Sequence, residues 1–433
     1  MNASVIYLNG GIALVGILVL ALLGLTARCD QSTHDQQRNI FITNKDEYEN
    51  KVYGAWCGKL IGLTAGQPVE GWSRQQIEAC ARKVDAYPVD WFFSADFDSQ
   101  QKGYLRGNFT SAPSNDDSDF LVVSLLALRK NGINLTSRDI ADAWVKYCSA
   151  ACTAEAVALA NFRKGIWPAA SAATDNPYSD WIGAQMRSDI WGMIAPGMPD
   201  VAADYAERDA RISHLGDGIY AERYIAAVIS LAMVDTDCKR ILREALNVIP
   251  ADCKYARVVK DVLNWHEQSA TWSKAWDLLD AKYGLLEDGS RVAPFAEEKY
   301  KTGLYANWCN MKWVHADING GAVALALLYG NGDFTKTVSL GVMCGYDCDC
   351  NAGTVGAILG AMWGERAIPT KWKASFNDTY NTDVKIDNQN LKISELAKET
   401  AGYGLQVLDQ RNSTRTGQHP TREYMHRIGG EAW

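Results

Sequence analysis

Proline and histidine are scarce in this 433-residue chain, at eleven and six residues. Neither a Pro/Ser/Gly linker nor a block of like charge interrupts its middle, so one large domain with appended ends is expected. The 36 glycines follow no triplet period, and 47% apolar against 22% charged residues leaves no room for a collagenous, disordered or coiled-coil chain. Lys and Arg do not cluster and the net charge is -8, so the electrostatic footprint of a nucleic-acid binder is missing. The histidines are scattered, and Cys348 and Cys350 lack the spacing of a zinc pair. Period-two alternation is rare, and no unit of 20 to 50 residues repeats, so a solenoid is not expected.

One long apolar run is present. Gly10 to Ala27 is uncharged over 18 residues, at the border between a signal-peptide core and a short membrane span. Residues 1–29 are therefore expected to be a signal peptide, cut after Ala27, or a signal anchor. The absence of Lys and Arg from Asn2 to Asn9 keeps the anchor open, and Arg28 makes Cys29 a poor lipidation site. A polar tether over 30–45, a main domain over 46–410 and a C-terminal tail over 411–433 follow. The chain is expected to be exported, secreted or periplasmic, touching membrane only through residues 10–27 if these are uncleaved. Ten cysteines follow Cys29 without a compact ladder of spacings, so few disulfides are expected and buried free thiols dominate. Asn108, Asn134, Asn377 and Asn412 lie in glycosylation sequons, a short and common pattern.

From Lys45 onward apolar residues recur at three and four, as in Leu121, Leu125 and Leu128, and the body reads as all-α. Helices are expected near 47–63, 118–131, 137–150, 153–164, 200–211, 217–234, 239–247, 253–267, 271–281, 319–329, 333–344, 351–363 and 392–407. Two of these segments carry glycine stripes, Gly54, Gly58, Gly62 and Gly66 in one and Gly353, Gly356, Gly360 and Gly364 in the other. An interior glycine weakens a helix by about 1 kcal/mol relative to alanine, so a compensating close backbone contact is expected. Such contact would bring together the loops at the ends of the two segments.

Acidic runs precede two of the expected helices, Ser114-Asn-Asp-Asp-Ser-Asp119 and Tyr346-Asp-Cys-Asp-Cys350. Helix capping accounts for one or two carboxylates at each place but less well for three. In an extended loop Asp347 and Asp349 would point to one side, repelling each other unless a cation sits between them. Oxygen donors of this kind select Mg²⁺, Mn²⁺ or Ca²⁺.

The ordered set Tyr53-Gly-Ala-Trp-Cys-Gly-Lys-Leu-Ile-Gly-Leu-Thr-Ala-Gly-Gln-Pro-Val-Glu70, Asn115-Asp-Asp-Ser118 and Gly345-Tyr-Asp-Cys-Asp-Cys-Asn-Ala352 resembles the ADP-ribosylglycohydrolase family. Ile194-Ala-Pro-Gly197, Asp209-Ala-Arg-Ile-Ser-His214 and Ile368-Pro369 extend the match over roughly 47–376. The resemblance implies a compact helical domain with two Mg²⁺ or Mn²⁺ ions in a central cleft. By motif, Asn115, Asp116, Asp117, Asp347, Asp349 and Cys350 would hold the metal, and Glu70 and Asp117 would be catalytic. Asn115 and Cys350 each stand where the family usually has Thr, and Leu63 where many relatives have Asp. A thiol suits Mg²⁺ poorly, so the second ion would be held more weakly, or Mn²⁺ preferred.

The reaction so implied is hydrolysis at the ribose C1 of an ADP-ribosylated protein or ADP-ribosyl small molecule. Glu70 would deprotonate the water or occupy a metal until substrate displaces it. Trp72, Tyr346 and Trp191 are candidates to stack on adenine or sugar. The alternatives are hydrolysis of another glycosidic linkage, which a cleft unsuited to ADP-ribose would favour, and a noncatalytic crystallin-like protein. The retained carboxylates argue against the last.

Overall fold

A computed structural model describes residues 44–285 and 311–416. The expected export segment, Cys29, Cys309 and residues 417–433 lie outside the described residues. A compact unit begins at Glu47. Its helices are α1 (Lys45–Gly66), α2 (Arg74–Lys83), α3 (Asp116–Asn131), α4 (Ser137–Tyr147), α5 (Thr153–Arg163), α6 (Ala170–Ala173), α7 (Asp189–Met193), α8 (Pro199–Ala210) and α9 (Asp217–Ala232). There follow α10 (Cys238–Ala245), α11 (Lys254–Glu267), α12 (Trp272–Tyr283), α13 (Ala316–Gly330), α14 (Phe334–Met343), α15 (Cys348–Trp363), α16 (Thr370–Lys373) and α17 (Ile393–Thr416). Strands β1 (Thr379–Asn381) and β2 (Asn390–Lys392) pair antiparallel with Tyr380 opposite Leu391. Among the described residues no helix is long and apolar enough to cross a membrane.

The all-α reading holds, and every expected helix is present within a few residues. Sequence periodicity missed α2, which buries only Ile77 and Ala81 and depends on a capping box between Ser73 and Gln76. It also missed the short α6, α7 and α16 and the three-residue strands, which are too brief to show a period. Helix α17 continues to Thr416, into the stretch expected as a tail. All nine described cysteines are free thiols.

Helices α13 and α15 are buried on every side, with only Tyr329 and Trp363 respectively outside the core. Helix α13 packs on α11, α14 and α15, while α9 packs on α7, α8 and α15. The glycine stripes meet each other. A Cβ on Gly54 would fall 2.5 Å from the Gly360 carbonyl oxygen, one on Gly58 2.0 Å from that of Gly356, and one on Gly62 2.0 Å from that of Ala352. Residue numbers rise along α1 as they fall along α15, so the helices run antiparallel in backbone contact. The C-terminal end of α1 therefore lies at the N-terminal end of α15, where the acids are.

Candidate metal centre and its cleft

Glycine places the first acid. A Cβ on Gly66 would fall 2.4 Å from the Asp349 Cα, so only glycine lets α1 end against the first turn of α15. A single 3₁₀ turn over Gln67–Val69 then turns the chain to Glu70. The Gly71 amide donates to the Tyr346 carbonyl at 3.0 Å. Gly345, at φ +73°, has no room for a Cβ, which would lie 2.8 Å from the Trp72 carbonyl oxygen. The loop after α1 is thus laid on the loop before α15.

Helix α3 starts at Asp116, two residues before its expected start, because Asn115 caps it: the Asn115 Oδ1 accepts from the Asp117 amide at 3.0 Å. The Asn115 Nδ2 donates to Asp349 Oδ2 at 2.9 Å and to Gln67 Oε1, and Gln67 Nε2 donates to Glu70 Oε2. One amide chain thereby ties α3, α15 and the Glu70 turn together.

Helix α15 starts at Cys348, so the expectation of an extended loop with alternating side chains is corrected. In a helical turn, residues three apart share a face, which turns Cys350 toward Asp347. Ligand atoms of Asp347, Asp349 and Cys350 lie within 4.8 Å of one another. Cys348 points elsewhere, to the Val69 carbonyl at 3.2 Å. Asn319 on α13 pins this turn: its Oδ1 accepts from the Asp347 amide at 3.2 Å and from Asn351 Nδ2 at 2.7 Å, while its Nδ2 donates to the Trp313 and His315 carbonyls.

The Oδ1 atoms of Asp347 and Asp349 are buried and have no hydrogen-bond partner. Buried oxygens of this kind are unfavourable unless something positive meets them. With Cys350 beside them, they form a mixed oxygen and sulfur donor set for one divalent cation, softer than an all-oxygen site. Asp117 is engaged differently. Its Oδ2 is 3.0 Å from the Lys59 ammonium, and its Oδ1 accepts from the Cys350 thiol at 3.1 Å.

Lys59 is wholly buried and also meets Asp189 at 3.2 Å and the Met186 carbonyl at 3.0 Å. Burial opposes its charge, but Asp117 and Asp189 more than offset that, so the ammonium is held above its ordinary range. Among the described residues it is the one cation that touches the site's acids.

Burial, followed by Asp349 and Asp116, lifts the Glu70 carboxyl well above the usual range, against the hydrogen bond from Gln67. Burial and then Asp349 do the same to Asp347. Burial takes Asp117 up to about 6, with Lys59 pulling it back. Asp116 is pushed up to about 8, first by desolvation in the cleft and then by Asp117 and Asp349. Its side chain nevertheless stays open to solvent, which tempers that rise. Burial and then Asp117 raise the Cys350 thiol, which keeps its proton as a donor.

Beside Asn115 and Asp116 opens a cleft of about 220 Å³, walled by Tyr104, Phe120, Cys148, Ser149, Asp119 and Asp383 among others. Among the described residues no Lys, Arg or His lines it. The expected stacking residues lie elsewhere. Trp191 is fully buried, stacked on Tyr205 at 5.9 Å with its indole donating to Asp209, so it cannot reach a ligand. Tyr346 is buried against Trp276, and the half-buried Trp72 stacks on Phe97. Among the described residues the aromatic rings at the cleft are Tyr104 and Phe120.

Sequence reasoning passed over Lys59, Gln67, Asp189 and Asn319. One signal was available: Lys59 is a lone charge between Gly58 and Gly62 in an apolar stripe.

The helical body, the glycine-packed pair and the acids at their junction define a glycosyl-hydrolase-type domain of the ADP-ribosylglycohydrolase kind. The family model for ADP-ribosylglycohydrolase matches residues 44–405, and the chain belongs to that family. No curated protein matches it. A solved structure described as an ADP-ribosylglycohydrolase-related protein complex is similar in fold, with TM-score 0.50 and 18% identity over 83% of this chain and 98% of that one.

Proposed function

We propose that this chain hydrolyses an ADP-ribosyl bond at the ribose C1 of a modified protein or small acceptor, with Mn²⁺ or Mg²⁺ as cofactor. The observation that carries the reading is the pair of unpartnered buried Oδ1 atoms on Asp347 and Asp349, the latter joined by a hydrogen bond to Asn115 in the cleft wall, in a chain of this family. Asp347 and Asp349 would hold the cation, with the Cys350 thiol as a weak third donor, and the cation when bound would polarise ribose hydroxyls and water. Glu70, fixed through Gln67, takes the proton from the attacking water. The bond from C1 to the acceptor breaks, and the proton passes to the departing acceptor. Asp116, facing the cleft, stabilises the positive charge that develops on the ribose ring. Asp117, held by Lys59 and Cys350, adds a fixed negative charge behind it.

The test is release of ADP-ribose from ADP-ribosylated proteins and small acceptors by the full chain with Mn²⁺, followed chromatographically beside Glu70→Gln and Asp349→Asn. Release that both variants abolish supports the reading. Metal binding without release from any ADP-ribosyl substrate moves it to another glycoside, and loss of both favours a noncatalytic role.

A second reading has one observation behind it. ADP-ribose carries a pyrophosphate, yet Asp116, Asp119 and Asp383 line the cleft and, among the described residues, no basic side chain does. That lining favours a neutral or cationic glycoside, and a panel of nucleosides and uncharged glycosides tested alongside would reveal such a substrate. The apolar run Gly10 to Ala27 supports export of the chain, and recovery of the protein only in the cytosol on fractionation would reject it.

A further inference from the structure

We propose that Lys59 is a resident cation standing in for one of two metal ions, so that the centre holds a single divalent ion. The inference rests on the metal-dependent reading above and refines it. A two-ion centre needs donors on both sides of the cluster, and here one side is already used. Asp117 Oδ2 lies 3.0 Å from the Lys59 ammonium, and Asp117 Oδ1 accepts the Cys350 thiol at 3.1 Å. Asn115 spends its oxygen on the Asp117 amide and turns its NH₂ to Asp349.

The lysine cannot step aside. It is 0% exposed, donates to the Met186 carbonyl, and is ion-paired on two sides, with Asp117 at 3.0 Å and Asp189 at 3.2 Å. A hard dication sits about 2.1 Å from a carboxylate oxygen, so an ion on Asp117 would press against that ammonium with nothing between to screen it. Of the buried site oxygens, the Oδ1 atoms of Asp347 and Asp349 have neither a hydrogen bond nor an ion pair, and together they suit one ion. Lys59 thus supplies positive charge to the Asp117 side of the cluster, with Asp189 holding it in place as a positioning residue.

Mn²⁺ titrated into the full chain provides the test, with bound metal counted after equilibrium dialysis and its electron paramagnetic resonance spectrum recorded. One ion per chain with the spectrum of an isolated Mn²⁺ is expected. Two ions per chain with an exchange-coupled spectrum overturn the role of Lys59 and leave the metal-dependent reading intact; no bound ion overturns both. Lys59→Met alone strands two buried carboxylates and is expected to fold poorly, so it is combined with Asp189→Asn. The double variant is expected to bind a second Mn²⁺ and give the coupled spectrum, and a count that stays at one overturns the proposal. If the double variant does not fold, the count and spectrum of the unaltered chain still decide.

Discussion

A single methyl group added at Gly58 tests how the site is held together. Its Cβ would lie 2.0 Å from the Gly356 carbonyl oxygen and 2.4 Å from the Gly356 carbonyl carbon. To restore ordinary contact near 3.4 Å, α1 and α15 would have to part locally by about 1.4 Å. Helix propensity favours alanine over glycine by about 1 kcal/mol. Overpacking costs about 1–3 kcal/mol where side chains can yield, and here the obstacle is backbone on both sides, so the cost should exceed that range. A net loss of about 2 kcal/mol is expected for Gly58→Ala, together with weaker Mn²⁺ binding as Gly66 and Asp349 are drawn apart. The control is Gly402→Ala in α17, where nothing lies within 4 Å of the added carbon. There the same substitution should stabilise by roughly 0.5–1 kcal/mol, because no contact opposes the propensity gain. Equilibrium urea unfolding of the full chain reads both. If Gly58→Ala unfolds at or above the wild-type midpoint, the backbone contact between the stripes is not what joins the two halves of the site.

Three further outcomes follow from the same geometry. Arg187→Met should destabilise by about 3–5 kcal/mol in urea unfolding, since it leaves Glu155, Asp209 and Glu222 buried without their guanidinium; an unchanged midpoint would refute this. Cys350→Thr exchanges a thiol for a hydroxyl and should raise Mg²⁺ affinity relative to Mn²⁺ in a competition titration, and an unchanged ratio would count against Cys350 as a ligand. Burial pushes Asp117 up to about 6, above its unfolded value near 4, so its contribution to metal-free stability is complete below about pH 4 and lost as pH rises through 6. Asp347 is also raised by burial and by Asp349, and its proton must leave before a cation binds, so Mn²⁺ affinity should rise with pH above about 5 while metal-free thermal stability falls from about pH 4 to 6; two flat profiles would contradict the assignment.

What the sequence made legible was periodicity. Long apolar helices such as α9 and α15 declare themselves, and the glycine stripes point to the contact they make. The starts of the three site helices were less readable: α3, α13 and α15 begin at Asp116, Ala316 and Cys348, two or three residues ahead of the hydropathic signal. In each case the first turn carries polar residues that hydropathy assigns to a loop. That shift conceals chemistry, because only a helical turn puts Cys350 on the face of Asp347. Trp191 shows the opposite failure. A ring next to family motifs reads as a ligand contact, but its indole completes the hydrogen bonding of Asp209 in a buried ion network, a partner 18 residues away that no local pattern discloses.

The departures at Leu63 and Cys350 make better sense beside Lys59 than one at a time. A Cβ on Gly353 would lie 3.0 Å from the Leu63 side chain and 3.1 Å from the Lys59 Cδ, so both residues, one turn apart on α1, press on the same spot of α15. Leucine there offers the lysine stem an apolar neighbour, whereas an aspartate would add a sixth carboxyl to Glu70, Asp116, Asp117, Asp347 and Asp349. Lys59 then carries its charge past that apolar contact to Asp117, and the Cys350 thiol satisfies the remaining Asp117 oxygen. A leucine where many relatives have a carboxylate, the buried ammonium of Lys59 and a thiol in place of a hydroxyl all lower the demand for metal on the Asp117 side. The acids of α15 keep theirs, since their free oxygens face no protein cation among the described residues.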